Sequence, residues 1–282
     1  MTFYDIFVNP EFFLGEDTYY VGVILDYWRY VDKFWGIGNN TPDSDNVGYT
    51  RKILWVNLEF DVSVIGPLKI GLNYDLNYTT IEDKGTNPFL LSGSVTGSDG
   101  GTSSGVGLVL FADTRNGAFA PTGGEFYKLS FLNSSSWLGS SFKFARWIAD
   151  LRHYVEIEPP LVLAAQLYAS GVTGDPPFYM YPALGGDNAM RGYYEGRYRD
   201  KYYVALQGEL RLKLARRWGI VGWAGIGDVA GTVDNFKLTA FKPSAGVGIR
   251  FALDPEESLN VRADFAYGQD SKGMYFNAKE AF

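Results

Sequence analysis

The sequence predicts an all-β fold, a transmembrane antiparallel β-barrel of about twelve strands. Three observations carry this. Apolar and polar residues alternate over runs of roughly ten or eleven positions, the length a tilted strand needs to cross a bilayer. Trp, Tyr and Phe make up 17% of the 282 residues and glycine counts 34, an enrichment typical of such barrels. Short turns alternate along the chain with long polar loops, the usual asymmetry between the two rims of a bacterial barrel.

Residues 1–17, MTFYDIFVNPEFFLGED, precede the regular alternation and are expected to form a tail, a plug or an extra strand. Residues 18–282 are expected to form the barrel as one domain. Strands are expected near 18–34, 47–65, 68–80, 105–113, 124–134, 140–157, 160–172, 199–214, 218–229, 240–253, 258–268 and 273–282. In the second of these, Leu54, Val56, Leu58, Phe60 and Val62 oppose Asn57, Glu59, Asp61 and Ser63. In the third, Ile70, Leu72, Tyr74, Leu76 and Tyr78 oppose Asn73, Asp75 and Asn77. Val204, Leu206, Leu210 and Leu212 oppose Gln207, Glu209, Arg211 and Lys213, and Val261, Phe265 and Tyr267 oppose Arg262 and Asp264. Period two puts each set on its own sheet face. Soluble strands average about five or six residues, so the apolar face is assigned to lipid and the charged face to a lumen. In 140–157 the parity switches, because Phe142 and Phe144 share a face with Arg146, Asp150 and Arg152; a bulge is expected near Ala145.

Short turns are expected at IGPL, IEPPL, LARRW and LDPEES, and long loops at 36–48, 82–105, 173–199 and 230–240. By counting, the long DTRNGAFAPTGGE falls on the short-turn side and the short SSSWLGS on the other. An even strand count places both termini on the short-turn side, with Phe282 closing the last strand.

Composition excludes several functions. A formal charge of −7 argues against a nucleic-acid partner. There is no cysteine, hence no disulfide or thiol chemistry, and one histidine leaves little for a transition metal. No long apolar run could form a spanning helix. The residues after Met1 lack the basic start and apolar core of a secretory leader, so the chain is expected to be a mature or engineered form.

Several segments together resemble one family, the bacterial surface antigen or BamA-like superfamily of outer-membrane barrels. MRGYYEGRYRD is similar to its Arg-Gly-aromatic motif, and DTRNGAFAPTGG to its Asp-x-Arg…Pro-x-x-Gly turn. GELRLKL, GIGDVAG, SAGVGIRFAL and LNVRADFAYG follow in the family's order, and FWGIGNN resembles a segment of short members. The resemblance covers most of 18–282. It implies bacterial outer-membrane localisation and a long loop, 173–199, folded back into the lumen. It further implies that Arg191, Gly192 and Tyr193 form the loop motif and that Arg191 reaches Glu209 and Asp228 on the wall. A guanidinium can bind carboxylates in a fork, Gly192 allows close backbone approach, and Tyr193 can pack on the wall. Two departures stand out. The usual barrel has sixteen strands, and family members carry periplasmic polypeptide-transport-associated domains, which residues 1–17 cannot hold; a short member without them is implied.

Other candidates are weaker. His153 lies beside no nucleophile motif, so no catalytic residue is assigned. Asp43, Asp45 and Asn46 lack calcium-loop spacing and are assigned to a solvated loop, so no metal site and no cofactor are expected. The Gly-x-Gly of GVGIRF and GIGDVAG lies in alternating strands, not in a phosphate loop. The resemblance implies a non-enzymatic role in outer-membrane protein or lipid biogenesis, with outer-membrane lipids, and other outer-membrane proteins or an assembly complex, as partners. The alternatives are a passive channel or small-solute transporter, and a barrel lipid enzyme.

Overall fold

In this computed structural model, residues 4–254 and 259–282 are described. Among them the chain forms sixteen strands: β1 (Tyr4–Val8), β2 (Glu11–Leu14), β3 (Tyr19–Phe34), β4 (Val47–Ile65), β5 (Leu68–Asp83), β6 (Gly100–Asp113), β7 (Gly124–Ser134), β8 (Phe144–Glu158), β9 (Leu161–Gly174), β10 (Ala183–Leu184), β11 (Tyr198–Arg199), β12 (Tyr202–Lys213), β13 (Trp218–Ala230), β14 (Lys242–Asp254), β15 (Leu259–Gly268) and β16 (Ser271–Ala278). The sheet follows chain order from β3 to β9 and then from β12 to β16; β1 and β2 both pair with β3, and β10 with β11. One short helix, α1 (Pro88–Leu91), lies in a long loop.

The long strands fall where alternation placed them, and their faces separate as the period requires. On β12, Leu206 is 52% exposed on the lipid-facing side while Glu209 is 0% exposed on the other. On β4 and β5, Phe60 and Leu72 are exposed while Asp61 and Asp75 are buried. Several boundaries move. β5 and β6 run further into their loop than expected, to Asp83 and from Gly100. β8 begins at Phe144, so Phe142 lies in the connection: Ser140 Oγ donates to the Phe142 carbonyl at 2.7 Å and Phe142 N–H donates back to Ser140 Oγ at 3.1 Å. Such local serine bonds offer the backbone an alternative to the ladder.

β16 stops at Ala278, and Phe282 does not close a strand. Lys279 takes a left-handed conformation at φ 62°. Glu280 is then held by Arg250 Nε at 2.5 Å and Asn260 Nδ2 at 2.9 Å, and Phe282 packs with Tyr154, Ala164 and Ala281. Before β3, Tyr4–Val8 and Glu11–Leu14 form strands. β1 pairs antiparallel along Leu25–Arg29 and β2 along Tyr19–Gly22 of β3. The expected turn LDPEES falls largely outside the described residues.

Two compact units are distinguishable. The first comprises Met1–Phe111, Lys128–Ile148 and Ser170–Pro182, the second Ala112–Tyr127, Ala149–Ala169 and Ala183–Phe282. In the first, β3, β4 and β5 pair over most of their length, and the two-residue turn Gly66–Pro67 places Gly66 at φ 53°. Above these strands Phe34, Tyr49, Leu90 and Phe178 form a buried aromatic cluster. Asn87 ties α1 to it: its Oδ1 accepts from Phe89 N–H at 3.1 Å and Leu90 N–H at 3.2 Å, and its Nδ2 donates to the Phe34 carbonyl at 3.2 Å. Loss of such a cap costs about 1 kcal/mol. Asn87→Ala is therefore expected to speed proteolysis within residues 84–99 while the thermal transition of the strands barely moves, which digestion with mass-spectrometric mapping would read.

In the second unit, β12 to β16 form a continuous antiparallel ladder. One of its faces carries Gln207, Glu209, Arg211, Trp223, Ser244, Arg250, Arg262 and Asp264, all buried. Charged side chains are seldom buried unless paired, so this face must be covered by groups that match it.

Candidate functional site: the Arg191 socket

Residues 185–196 supply that cover. The segment cannot be strand or helix, because Gly185, Gly186, Gly192 and Gly196 all have positive φ, at 110°, 117°, 106° and 80°. At Gly185 a Cβ would lie 2.3 Å from the Tyr194 carbonyl oxygen, so the tight turn requires glycine there. β10 and β11 close the base of the loop in a two-residue ladder.

Arg191 is 0% exposed. Its Nη2 meets Glu209 Oε1, and its Nη1 donates to Asp264 Oδ2 at 2.6 Å. The guanidinium carbon sits 3.7 Å from the ring centroid of Trp223. The register explains the fit. Glu209 lies opposite Trp223, Trp223 opposite Gly246, and Gly248 opposite Asp264. A Cβ on Gly246 would come within 2.3 Å of Trp223, and one on Gly248 within 2.1 Å of Asp264 Oδ1. The two glycines therefore leave the floor of a socket between an indole face and two carboxylates.

The socket belongs to a larger network. Glu209 also receives Arg211 Nε at 2.9 Å; Asp264 also receives Arg250 Nη1 at 2.5 Å and Arg262 Nη1 at 2.9 Å. Arg250 continues to Glu280, and Arg262 to Asp187 in the loop itself. Four arginines thus meet four carboxylates. Opposite charges in a dry site compensate one another's desolvation only when geometry and hydrogen bonding are good; here Glu209 accepts from Arg191 and Arg211, and Asp264 from Arg191, Arg250 and Arg262.

The backbone of the motif is held as firmly. Gly192 N–H donates to Tyr275 Oη at 2.9 Å, Ser271 Oγ donates to the Gly192 carbonyl at 2.5 Å, and Ser244 Oγ donates to the Arg191 carbonyl. Tyr193 Oη donates to the Pro243 carbonyl at 2.7 Å and accepts from Gln269 N–H at 2.6 Å. Burial pushes the Tyr193 phenol's pKa up, so the hydroxyl keeps its proton for that donation. Tyr193→Phe would leave a buried N–H and a buried carbonyl short of a partner, a loss of about 1–3 kcal/mol. A lower unfolding temperature in detergent, with normal membrane insertion, is the expected result.

Asp228 is not a partner of Arg191. It is fully buried, and its Oδ1 accepts from Lys242 Nζ at 3.2 Å. It stands five positions along β13 from Trp223, about 17 Å at strand rise, beyond the reach of a guanidinium seated on that indole. Asp264 takes its place. Alternation places Asp264 on the charged face, but which carboxylate meets the loop depends on register between strands far apart in sequence. Trp223, Ser244, Gly246, Gly248 and Tyr275 were missed for the same reason.

The remaining candidates are elsewhere. His153 is exposed, its Nδ1 3.4 Å from Glu125 Oε1. Asp43–Asp45 form a 3-10 turn, with Asp43 accepting from Trp35 Nε1 at 3.1 Å.

The family model described as the Omp85 superfamily domain matches residues 6–282. The chain belongs to the Omp85 superfamily. Among solved structures it is similar to BamA from Haemophilus ducreyi lacking POTRA domains 1-3, with TM-score 0.68 and 12% identity, covering 98% of this chain and 62% of that one. It is similar to CdiB from Acinetobacter baumannii, with TM-score 0.63 and 15% identity over 97% of this chain and 49% of that one. For CdiB from Escherichia coli the TM-score is 0.60 and the identity 12%, over 93% of this chain and 50% of that one. The chain spans about half to three-fifths of the length of these proteins. No curated protein matches it. At these identities the likeness is one of fold: the Omp85 chain is a BamA-like outer-membrane β-barrel, and the Arg191 loop lies against the buried, charged face of β12 to β15. Among the described residues its sheet has fourteen strands, twelve of them eight residues or longer.

Proposed function

We propose that this Omp85 chain is the membrane-embedded part of an outer-membrane protein or lipid biogenesis activity, in contact with outer-membrane lipids and with other outer-membrane proteins or an assembly complex. The observation that carries the reading is the Arg191 socket. A loop fixed to the lumenal wall by a buried, charge-matched network favours a scaffold for handling another molecule over an open solute path. The role assigned is non-enzymatic, with Arg191, Gly192 and Tyr193 as the structural motif, Glu209 and Asp264 as its anchors, and no residue as catalyst.

Purification of the native protein under mild detergent, followed by mass spectrometry of what accompanies it, tests this. Specific enrichment of outer-membrane assembly components or client barrels over an unrelated barrel is the expected result. Recovery of the protein entirely alone, together with a steady ion current that rises when residues 185–200 are deleted, would replace it with a passive channel.

A further inference from the structure

The lipid-facing side of β12 to β16 holds an apolar groove of about 600 Å³. Its side chains fall in two adjacent rows across the ladders. Leu210, Gly222, Val247, Phe265 and Met274 stand opposite one another in the first row. Ile220, Ile249, Ala263 and Phe276 do so in the second. All of them line the groove, and the bulky ones are exposed. The Arg191 socket uses side chains of the opposite face.

Gly222 opens the groove. A Cβ there would meet no atom within 4 Å. The other glycines of β13 and β14 differ: at Gly219, Gly225, Gly227, Gly246 and Gly248 a Cβ would come within 3.1 Å of a neighbour. Glycine weakens a strand, and inside one it marks a bulge, a bend, or the close approach of a ligand or another backbone. The register runs through Gly222 without a shift on either side, so there is no bulge. No described group of the chain approaches it. Its own fold does not account for this glycine, and an occupant from outside the chain does.

Depth identifies the chemistry of that occupant. Trp218 stands on the same face, two positions before Ile220, and is 53% exposed. Its ring meets that of Phe251 edge-on at 4.9 Å. Exposed aromatics at a strand end form the girdle of a membrane barrel, where headgroups give way to hydrocarbon. Ile220 and Gly222 lie about 7 and 13 Å further along the strand, within the hydrocarbon half-layer of about 15 Å. Water does not fill an apolar hollow, and hydrocarbon does.

We propose that the groove seats an acyl chain of a phospholipid from the leaflet on the short-turn side, with Gly222 and Ala263 as its floor. Bilayer hydrocarbon is already as apolar as the groove, so the hold comes from dispersion contacts in a preformed channel. The proposal deepens the contact with outer-membrane lipids proposed above and needs no protein partner, so the two readings fail separately.

The test uses the whole chain in phosphatidylcholine nanodiscs with a trace of phosphatidylcholine that carries a photoactivatable diazirine in its acyl chain. After illumination, adducts are mapped by mass spectrometry. They are expected to concentrate on Leu210, Val247, Phe265 and Met274, several-fold above Leu58 and Leu72, which are exposed on β4 and β5. Gly222→Leu places its side chain in open space on a regular strand and so leaves folding intact. It should bring the yield in the groove down to the level of Leu58 and Leu72. Ala263→Leu fills the second row and should act in the same way. Native mass spectra give a second reading: wild type keeps a phospholipid through detergent, and Gly222→Leu loses it. Equal adduct yields on the two faces of wild type would overturn the proposal, as would wild-type yields in both variants with their folded bands retained. A groove free of adducts, whose Gly222→Leu variant loses a dimer or another bound protein, would also overturn it, because the occupant would then be protein.

Discussion

Replacing Arg191 by alanine is expected to lower the thermal resistance of the barrel. The side chain is fully buried and bridges Glu209 and Asp264. Its removal leaves two carboxylates in a dry site with part of their compensation gone, and breaking a buried pair in this way costs about 3–5 kcal/mol. Arg211 still faces Glu209, and Arg250 and Arg262 still face Asp264. These partners hold the loss toward the lower end, about 3 kcal/mol. Arg191→Lys should recover only part of it. An ammonium is a point charge that cannot fork to both carboxylates, and it forfeits the planar stack on Trp223. The measurement is the temperature at which the folded band is lost on a semi-native gel, compared between Arg191→Ala and Arg191→Lys. Wild-type thermal resistance in Arg191→Ala would reject the socket as a stabilising feature.

Gly192→Ala should release the loop by a different route, leaving every charge in place. Gly192 has φ 106°, where an L side chain is strained, and its added Cβ would lie 2.6 Å from the Tyr267 carbonyl carbon and 2.7 Å from Gly268 N. Both contacts are main chain of β15 and cannot rotate away. Backbone strain and overpacking of about 1–3 kcal/mol each give about 2–6 kcal/mol in all. Alanine must therefore push the loop off the wall, stretching the bonds from Gly192 to Tyr275 and Ser271. Faster amide exchange and cleavage across 185–200, with strand exchange in β12 to β16 nearly unchanged, is the expected pattern. Slow exchange identical to wild type throughout the loop would show that the close approach is not needed.

Most of the architecture is legible in the sequence. Alternation depends on neighbours in the chain, so Leu206 against Glu209, or Phe60 against Asp61, declares its face locally. The ends of strands were less legible. Ser140 draws Phe142 out of the ladder, and Glu280, captured by Arg250 and Asn260, turns the last four residues away from β16. Both events depend on side chains satisfying one another, which no two-residue period records.

The sequence by itself determined the all-β membrane fold, its strand order of magnitude, the family and the identity of the loop motif, because these rest on local periodicity and on glycine and arginine in a recognisable setting. Only the tertiary structure decided which carboxylates hold Arg191. Glu209 and Asp264 are 55 residues apart in sequence, and they meet one guanidinium only through the register of β12 to β15 and the absence of side chains at Gly246 and Gly248. A one-residue slip in any of those ladders would carry a partner to the lipid face. Register is a property of paired strands, and so the choice of Asp264 over Asp228 could not be read from either strand alone.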